Sequence, residues 1–430
     1  MKKTFAIILI ALVAFSAFSA GTKETATTKP VITFYHGWFQ DDWQPAAEMC
    51  AMYDEFAALH ADEFEFKAIA LDSGNQGVYD KCIQEIALGR FPDVVDVAGM
   101  NIVPPAVAAG VALDLKPYID ADKDFKAGIG VNYEQNMYEG KIYTVRDQLE
   151  TIGFWYNEDL FNKAGAVTPD KWNTWEDFIT AVAALKACPE VETPFTMNQG
   201  WPSTILFSGY LLGTEEGRKL GNSVPATYDN EAFKDALSFV AKQALAQVDN
   251  EHFTASDSDR YREDFFDGKS AMLFNGVWES GSFGSVSVKP EYIKPAFFPT
   301  HESGKKAAIV SASPGFVINA KLDDVKKNAC IEFVKFMTSK ATATKVFEKA
   351  MAMPPSTAID YDTYINGNYD VTVKALAAAC KAALEADYQS PTAGAAWGQD
   401  VNDAINGKFA GLRDGSKTVE QAVKEINTLL

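Results

Sequence analysis

Strand patterns alternate with helix patterns in the first hundred residues, and this alternation restricts the fold more than any other feature of the chain. Apolar runs typical of buried strands span residues 31–35, 64–71 and 93–97. Apolar side chains at helical spacing mark residues 46–59 and 78–87. Strands that alternate with helices favour a sheet covered by helices on both faces. Because the alternation returns in the second third of the chain, the sequence predicts an α/β fold whose ligands bind beyond the carboxyl ends of the strands.

Chain length and charge narrow the class of protein further. The 430 residues exceed the usual size of one domain, which favours two or three. Lys and Arg number 39 against 58 Asp and Glu, so the formal net charge is −19. An acidic surface repels phosphate backbones and anionic lipid, which argues against nucleic-acid binding.

The N-terminus has the layout of a secretory signal peptide. Lys2 and Lys3 precede an apolar run over residues 5–15, and small residues follow up to Gly21. The run is too short for a comfortable membrane span, although an uncleaved anchor is the alternative. No cysteine follows it, so a lipoprotein is not indicated. We therefore expect residues 1–21 to be removed and the mature chain to be exported to the periplasm.

Motifs for catalysis, metals and cofactors are missing. The four histidines form no zinc-spaced pair, and no Gly-x-Ser-x-Gly elbow occurs. Gly268-Lys269-Ser270 imitates the end of a phosphate loop, but Glu263 stands where its first glycine belongs. We therefore expect a protein that is not an enzyme and that binds no cofactor and no metal. Because an acidic chain contains many carboxylates, a catalytic pair of carboxylates is the alternative.

Tryptophan is the residue type that points to a ligand. Five of the eight tryptophans lie where no helical stripe requires them: Trp38, Trp43, Trp201, Trp278 and Trp397. An indole face in a cleft stacks on the C–H face of a sugar ring, and nearby polar groups bind its hydroxyls. The alternative is core packing, which is the simpler interpretation of Trp155, Trp172 and Trp175 in or beside regular elements.

Four motif blocks in order resemble a known family, the solute-binding receptors of ATP-driven importers, in the sugar-binding group of the maltose-binding type. The resemblance covers about residues 31–430. The blocks are Ala-Leu-Gly-Arg-Phe-Pro-Asp-Val at 87–94, Gly-Lys-Ile-Tyr at 140–143 with Tyr-Asn-Glu-Asp-Leu at 156–160, Gly-Lys-Ser-Ala-Met at 268–272 with Asn-Gly-Val-Trp at 275–278, and Met-Pro-Pro at 353–355.

The resemblance implies a fold and a function. The fold is the two-lobed periplasmic-binding-protein fold of type II-like topology, with the ligand cleft between the lobes. Lobe one would comprise residues 31–148 plus 288–340, and lobe two residues 149–287 plus 341–430. The protein would act as a monomer that captures a mono- or oligosaccharide by cleft closure and delivers it to the permease subunits of an ABC importer.

The resemblance also implies ligand-binding residues by their position in the motifs. These are the stacking residues Trp278, Trp201 and Trp397, the carboxylate Glu150, and the rim residues Trp38, His36 and Asn101. Gln199 stands where the maltose receptor has an acidic residue, and Asp147 lies in a segment that lacks the family's proline. The sugar therefore need not be maltose.

Two other functions stay open from the sequence. A receptor of the same fold for a polyamine would need several carboxylates in the cleft, and Glu150 and Asp147 could be two of them. An exported carbohydrate hydrolase would use a pair of carboxylates.

Overall fold

A computed structural model describes residues 29–38, 44–221, 224–254, 259–356 and 359–430. The predicted signal peptide lies outside these residues. Within the described ranges, no helix combines the length and apolar character needed to cross a membrane.

Sixteen strands are described, most of them short. In chain order they are β1 (Val31–His36), β2 (Glu65–Ala70), β3 (Val94–Asp96), β4 (Met137–Tyr138), β5 (Lys141–Ile142), β6 (Glu150–Ile152), β7 (Phe154–Asn157), β8 (Thr193–Phe195), β9 (Met197–Asn198), β10 (Phe253–Thr254), β11 (Ser270–Leu273), β12 (Ile293–Ala296), β13 (Phe298–Pro299), β14 (Lys306–Ser311), β15 (Phe316–Ile318) and β16 (Tyr388–Ser390).

Three four-stranded sheets organise the chain. The first has the order β15-β3-β1-β2, in which β1, β2 and β3 are parallel and β15 is antiparallel to β3. The second has the order β12-β7-β11-β8. The third has the order β13-β14-β16, with β6 antiparallel to β14. Two-stranded pairs join β9 to β10 and β4 to β5. The strands predicted before residue 100 therefore form one parallel set, as expected.

Helices cover the sheets. They are α1 (Gln44–Leu59), α2 (Gly74–Ala87), α3 (Val103–Ala108), α4 (Lys116–Ala121), α5 (Lys123–Ile129), α6 (Asn132–Gln135), α7 (Glu158–Ala164), α8 (Trp175–Ala187), α9 (Trp201–Leu211), α10 (Glu215–Gly221), α11 (Glu231–Ser238), α12 (Arg260–Phe266), α13 (Asp324–Met337), α14 (Lys340–Glu348), α15 (Tyr361–Asn366), α16 (Val371–Leu384), α17 (Ala393–Trp397), α18 (Gln399–Asn406), α19 (Phe409–Asp414) and α20 (Val419–Ile426). A 3-10 turn spans Val277–Ser282.

The start of α8 shows how local sequence sets an element boundary. Thr174 precedes the helix, and its hydroxyl accepts a hydrogen bond from the Glu176 amide at 3.3 Å. The Asp177 carboxylate in turn accepts from the Thr174 amide at 3.1 Å. This reciprocal capping satisfies amides that have no partner within the helix. The capping box predicted from the Thr-x-x-Asp spacing is confirmed.

Buried side chains form two separate groups of cores. One group, around the first sheet, draws on residues 32–145 and 316–352, and we call it lobe one. The other, around the second and third sheets, draws on residues 149–312 and 347–426, and we call it lobe two. The chain therefore passes between the lobes three times, and residues 146–148 and 313–315 form two of these crossings.

The strand pairing differs from the predicted lobe boundary at residue 288. Strands β12 and β14 pair with β7 and β6, which belong to lobe two. The sequence predicts no strand between residues 275 and 315, so it offers no sheet pairing that would assign this segment to a lobe. We propose that residues 288–311 belong to lobe two and that the chain returns to lobe one at β15.

Candidate functional site

A cavity of about 530 Å³ lies between the two lobes and is lined by both. Lobe one contributes loops that follow β1 and β3, with Trp38 and Gly99 among their residues. This agrees with the expectation that the carboxyl ends of parallel strands meet at the binding crevice. The first crossing contributes Arg146 and Gln148, and Glu150 follows at the start of β6. We call this cavity the main cleft.

Two tryptophans form an aromatic surface on the lobe-two side of the main cleft. Trp201 begins α9, and Trp278 lies in the 3-10 turn. Their ring centroids are 6.4 Å apart and their planes differ by 30°. A β-carbon on Gly276 would lie 2.3 Å from the Trp278 ring, so only glycine lets this ring fold back over the preceding backbone. The Asn-Gly-x-Trp motif thus sets the position of one of the two rings.

Buried hydrogen bonds fix the orientation of Trp201. Its Nε1 donates to Asn275 Oδ1 at 3.0 Å, and Asn275 Nδ2 donates to Glu279 Oε1 at 2.6 Å. Burial raises the pKa of Glu279, and the charge of Arg262 opposes this shift. The Arg262 Nε atom lies 2.9 Å from Glu279 Oε1. The Asn275 amide is therefore held with its oxygen toward the indole before any ligand binds.

Asn275 should influence ligand affinity chiefly through the indole N–H of Trp201, since its Oδ1 otherwise accepts only from the neighbouring Gly276 amide at 2.9 Å. We expect Asn275→Ala to weaken ligand binding about fivefold, which corresponds to the loss of about one hydrogen bond, ~1 kcal/mol. In a Trp201→Phe background, which keeps an aromatic ring but has no N–H, the same change should weaken binding less than twofold. A calorimetric double-mutant cycle measures this coupling. Equal losses in the two backgrounds would show that Asn275 acts by a different route.

Arg146 and Glu150 place opposite charges at the floor of the main cleft. Glu150 Oε2 accepts from Ser311 Oγ at 3.4 Å, and Arg146 donates to Ser313 Oγ. Burial raises the pKa of Glu150, while the guanidinium of Arg146 acts against this shift. A β-carbon on Gly99 would lie 3.0 Å from Glu150 Oε1, at a backbone φ of +97° that favours glycine. The loop after β3 therefore approaches Glu150 closely because it carries no side chain there.

A polar helix face completes the cleft on the lobe-two side. Thr204 Oγ1 donates to Asn402 Oδ1 at 2.9 Å and accepts from Asn406 Nδ2 at 2.8 Å. Asn402 and Asn406 line the cleft together with Gln399 and Asp403. Asn406 Oδ1 is buried, and no described residue donates a hydrogen bond to it. These amides offer donors and acceptors of the kind that sugar hydroxyls bind.

The structure brings four of the predicted ligand residues together, because Trp38, Trp201, Trp278 and Glu150 all line the main cleft. Trp397 instead lies in the core of lobe two, where its Nε1 donates to the Leu220 carbonyl at 3.0 Å. Asn101 lines a second cavity. The half-buried Gln199 is not among the residues that line the main cleft.

His36 and Asp147 lie beneath the main cleft rather than on its surface. Burial lowers the pKa of His36 to about 4, and its Nδ1 accepts from the Trp38 amide at 3.3 Å. Asp147 is only 1% exposed. Burial raises its pKa to about 7, the charge of Asp96 adds to this, and that of Arg146 opposes it. Neither residue is among those that line the main cleft.

Sequence reasoning missed Arg146, Gln148 and the polar face of α18. The face carried a usable signal, because positions 399, 402, 403 and 406 are polar at helical spacing. Arg146 lies in the segment that lacks the family's proline, and this difference predicts a change of ligand but not a binding role for the arginine. Among the described residues, no group of three or more His, Cys, Asp or Glu side chains is arranged to hold a metal ion.

Comparison with known proteins identifies similar sequences and structures. Residues 24–344 match the sequence model of the family described as bacterial extracellular solute-binding protein. A solute-binding protein of Streptococcus pneumoniae, solved in complex with the blood group A-trisaccharide, is 36% identical with a TM-score of 0.82, over 93% of this chain and 99% of that chain. This likeness confirms the predicted α/β fold of two lobes.

Two curated relatives are more distant. The sn-glycerol-3-phosphate-binding periplasmic protein of Yersinia enterocolitica is 22% identical over 98% of this chain and 94% of its own length. The multiple sugar-binding protein of Streptococcus mutans is 24% identical over 60% of this chain and 61% of its own length. Both relatives bind small solutes, a glycerol phosphate in the first case and sugars in the second.

Proposed function

Because the chain belongs to the bacterial extracellular solute-binding protein family, we propose that it is the receptor of an ABC importer for a neutral oligosaccharide. It acts in the periplasm as a monomer, captures the sugar in the main cleft by closure of the lobes, and presents the closed form to the permease. The pneumococcal relative, which is bound to a trisaccharide, supports this class of ligand.

The observation that carries the proposal is the pair of indoles beside hydrogen-bonding groups. Trp201 and Trp278 are both half-buried and line the same cleft. Their tilted planes offer two neighbouring surfaces on which successive sugar rings stack. Glu150, Asn402 and Asn406 supply the partners that ring hydroxyls need once water is excluded.

The charges of the main cleft favour a neutral ligand. Among the described residues that line it, Arg146 is the one cation, and Glu150 and Asp403 are the carboxylates. One arginine beside Glu150 gives a phosphate dianion little net attraction, which argues against a glycerol phosphate. The positive charge of Arg146 would repel a polyamine. Asp147, one of the two carboxylates that the polyamine hypothesis needed, lies beneath the cleft surface.

The positions of the residues that line the main cleft support closure of the two lobes around the sugar. Trp38 and Asn75 come from lobe one, whereas Trp201 and Trp278 come from lobe two. A sugar that touches both sides binds the closed form more tightly and shifts the population by that difference in affinity.

A thermal-shift panel tests the proposal directly. It contains maltotetraose, xylotetraose, chitotetraose, the blood group A-trisaccharide, spermidine and sn-glycerol 3-phosphate. A ligand at 100 times its dissociation constant should stabilise the protein by about 2.7 kcal/mol. We expect at least one oligosaccharide to raise the melting temperature without being cleaved. A shift with only spermidine or the phosphate would reject the sugar receptor, and cleaved product in the incubation mixture would favour the hydrolase.

A further inference from the structure

The loop that follows β3 makes a tight turn beside the main cleft. Its two central residues have positive φ, +39° at Ala98 and +97° at Gly99. The Met100 amide closes the turn by donating to the Val97 carbonyl at 2.9 Å. Positive φ at both central residues is characteristic of type I′ turns, in which Gly, Asn and Asp predominate. Alanine is therefore an unusual residue at position 98, and neighbouring groups must hold its strained backbone in place. We call residues 97–100 the β3 turn.

Asp96, the last residue of β3, supplies a hydrogen bond that holds this conformation. Its Oδ1 accepts from the Ala98 amide at 2.9 Å, and the residue is only 1% exposed. Burial raises the pKa of Asp96, while the charge of Arg146, the Ala98 amide and the Trp38 side chain act against this shift. Without the carboxylate, the Ala98 amide would lose its partner within the turn. Residue 98 would then be free to leave the strained left-handed region.

The β3 turn supplies part of the lobe-one wall of the main cleft. Residues 98–100 line the cleft, whereas Asp96 does not. The Ala98 carbonyl accepts from Asn75 Nδ2 at 3.3 Å, and this bond orients a second lobe-one side chain that lines the cleft. The Gly99 amide donates to the Pro314 carbonyl at 2.6 Å, which ties the turn to the crossing at residues 313–315. The conformation of the turn thus determines the shape of this wall.

We propose that Asp96 is a positioning residue of the main cleft, which holds the β3 turn in the shape that presents residues 98–100 and Asn75 to the sugar without itself touching the sugar. The inference rests on the proposed function and deepens it. An Asp96 that only stabilised the fold would matter equally whatever residue occupied position 98. A positioning Asp96 matters only while the residue at position 98 resists positive φ.

A double-mutant cycle between positions 96 and 98 separates these two roles. Calorimetry measures binding of maltotetraose, xylotetraose, chitotetraose and the blood group A-trisaccharide. Asp96→Ala should weaken binding of the tightest of these sugars at least tenfold. In an Ala98→Gly background the same change should weaken binding less than threefold, because glycine adopts positive φ without strain. Asp96→Asn, which keeps an acceptor oxygen for the Ala98 amide, should also lose less than threefold.

A second pair of variants keeps Asp96 and tests the turn even if Asp96→Ala fails to fold. Ala98→Asn and Ala98→Val add side chains of similar size at the same point of the cleft wall. Asparagine tolerates the left-handed region, whereas a β-branched residue there is an outlier. Ala98→Val should therefore bind the same sugar at least fivefold more weakly than Ala98→Asn.

The matched control is Asp264→Ala, which removes another buried carboxylate. Asp264 lies in lobe two, is 3% exposed, and accepts from Thr196 Oγ1 at 2.5 Å. This variant should lower the melting temperature and leave the affinity within twofold of wild type. Equal losses from Asp96→Ala in the two backgrounds, or equal affinities of Ala98→Val and Ala98→Asn, would overturn the positioning role and leave the sugar receptor standing. Absence of binding by all four sugars to the wild-type protein would reject both.

Discussion

The double substitution Trp201→Ala and Trp278→Ala should weaken oligosaccharide binding at least a hundredfold. Each indole contributes buried area and a ring-to-ring contact worth about 0.5–1.5 kcal/mol beyond that area, so each single variant should lose about tenfold. Because the two rings are 6.4 Å apart and serve one ligand, their losses are expected to couple rather than simply add. Isothermal titration with the best oligosaccharide of the panel measures all three variants.

Trp397→Phe is the informative comparison for the indole pair. Trp397 packs in lobe two against Phe207, Tyr228 and Phe233, and it is only 6% exposed. Its replacement should lower the melting temperature and leave the affinity within twofold of wild type. Wild-type affinity in the double variant of Trp201 and Trp278 would show that these indoles do not bind the sugar. A large loss of affinity in Trp397→Phe would show that Trp397 belongs to the binding site.

Asp147→Asn should stabilise the protein at neutral and alkaline pH. The folded-state pKa of Asp147, raised to about 7 by burial, lies well above the ordinary value of 3.8. The folded protein thus binds this proton more tightly than the unfolded chain, and stability falls as the pH rises from about 4 to 7. The variant removes this loss, which amounts to up to about 4 kcal/mol at pH 8, since one pKa unit corresponds to about 1.4 kcal/mol.

Urea unfolding at pH 4 and pH 8 measures this difference. The gain in unfolding free energy should be large at pH 8 and close to zero at pH 4. Asp62→Asn, at an exposed carboxylate, should change the free energy little at either pH. Sugar affinity should stay within twofold in Asp147→Asn, because this side chain does not line the main cleft. A gain of equal size at both pH values would show that burial of the charge is not the cause.

Local pattern was sufficient for much of lobe one and for the indole pair. The strands before residue 100 are apolar runs with helical stripes between them, and each appears in the first sheet. Trp201 and Trp278 follow Gly200 and the Asn-Gly pair, where no helical stripe accounts for them. Such positions can be found from sequence because a large aromatic residue has few structural reasons to lie in a turn, as Trp278 does, or at the first residue of a helix, as Trp201 does.

Pairing across distant parts of the chain was not predictable in the same way. Strand β16 is Tyr-Gln-Ser, which has no apolar alternation, and it is a strand because it pairs with β14. Trp397 follows a run of small residues, in which no helical stripe predicts a buried position for it. These small residues instead form α17, which turns the indole into the core. Both outcomes depend on tertiary packing, which overrides local propensity.

Arg146 and Glu150 lie at or beside the crossing segment, which acts as the pivot of the proposed clamp. Groups at a pivot move least when two bodies rotate about it, so under the proposed mechanism Arg146 and Glu150 would contact the sugar in the open and the closed form alike. Such contacts tighten binding without favouring either conformation, because only differential affinity shifts a population. We therefore expect changes at Glu150 to alter the affinity for the sugar. Changes at Trp38, in the lobe-one loop after β1, should instead alter the equilibrium between the open and closed forms.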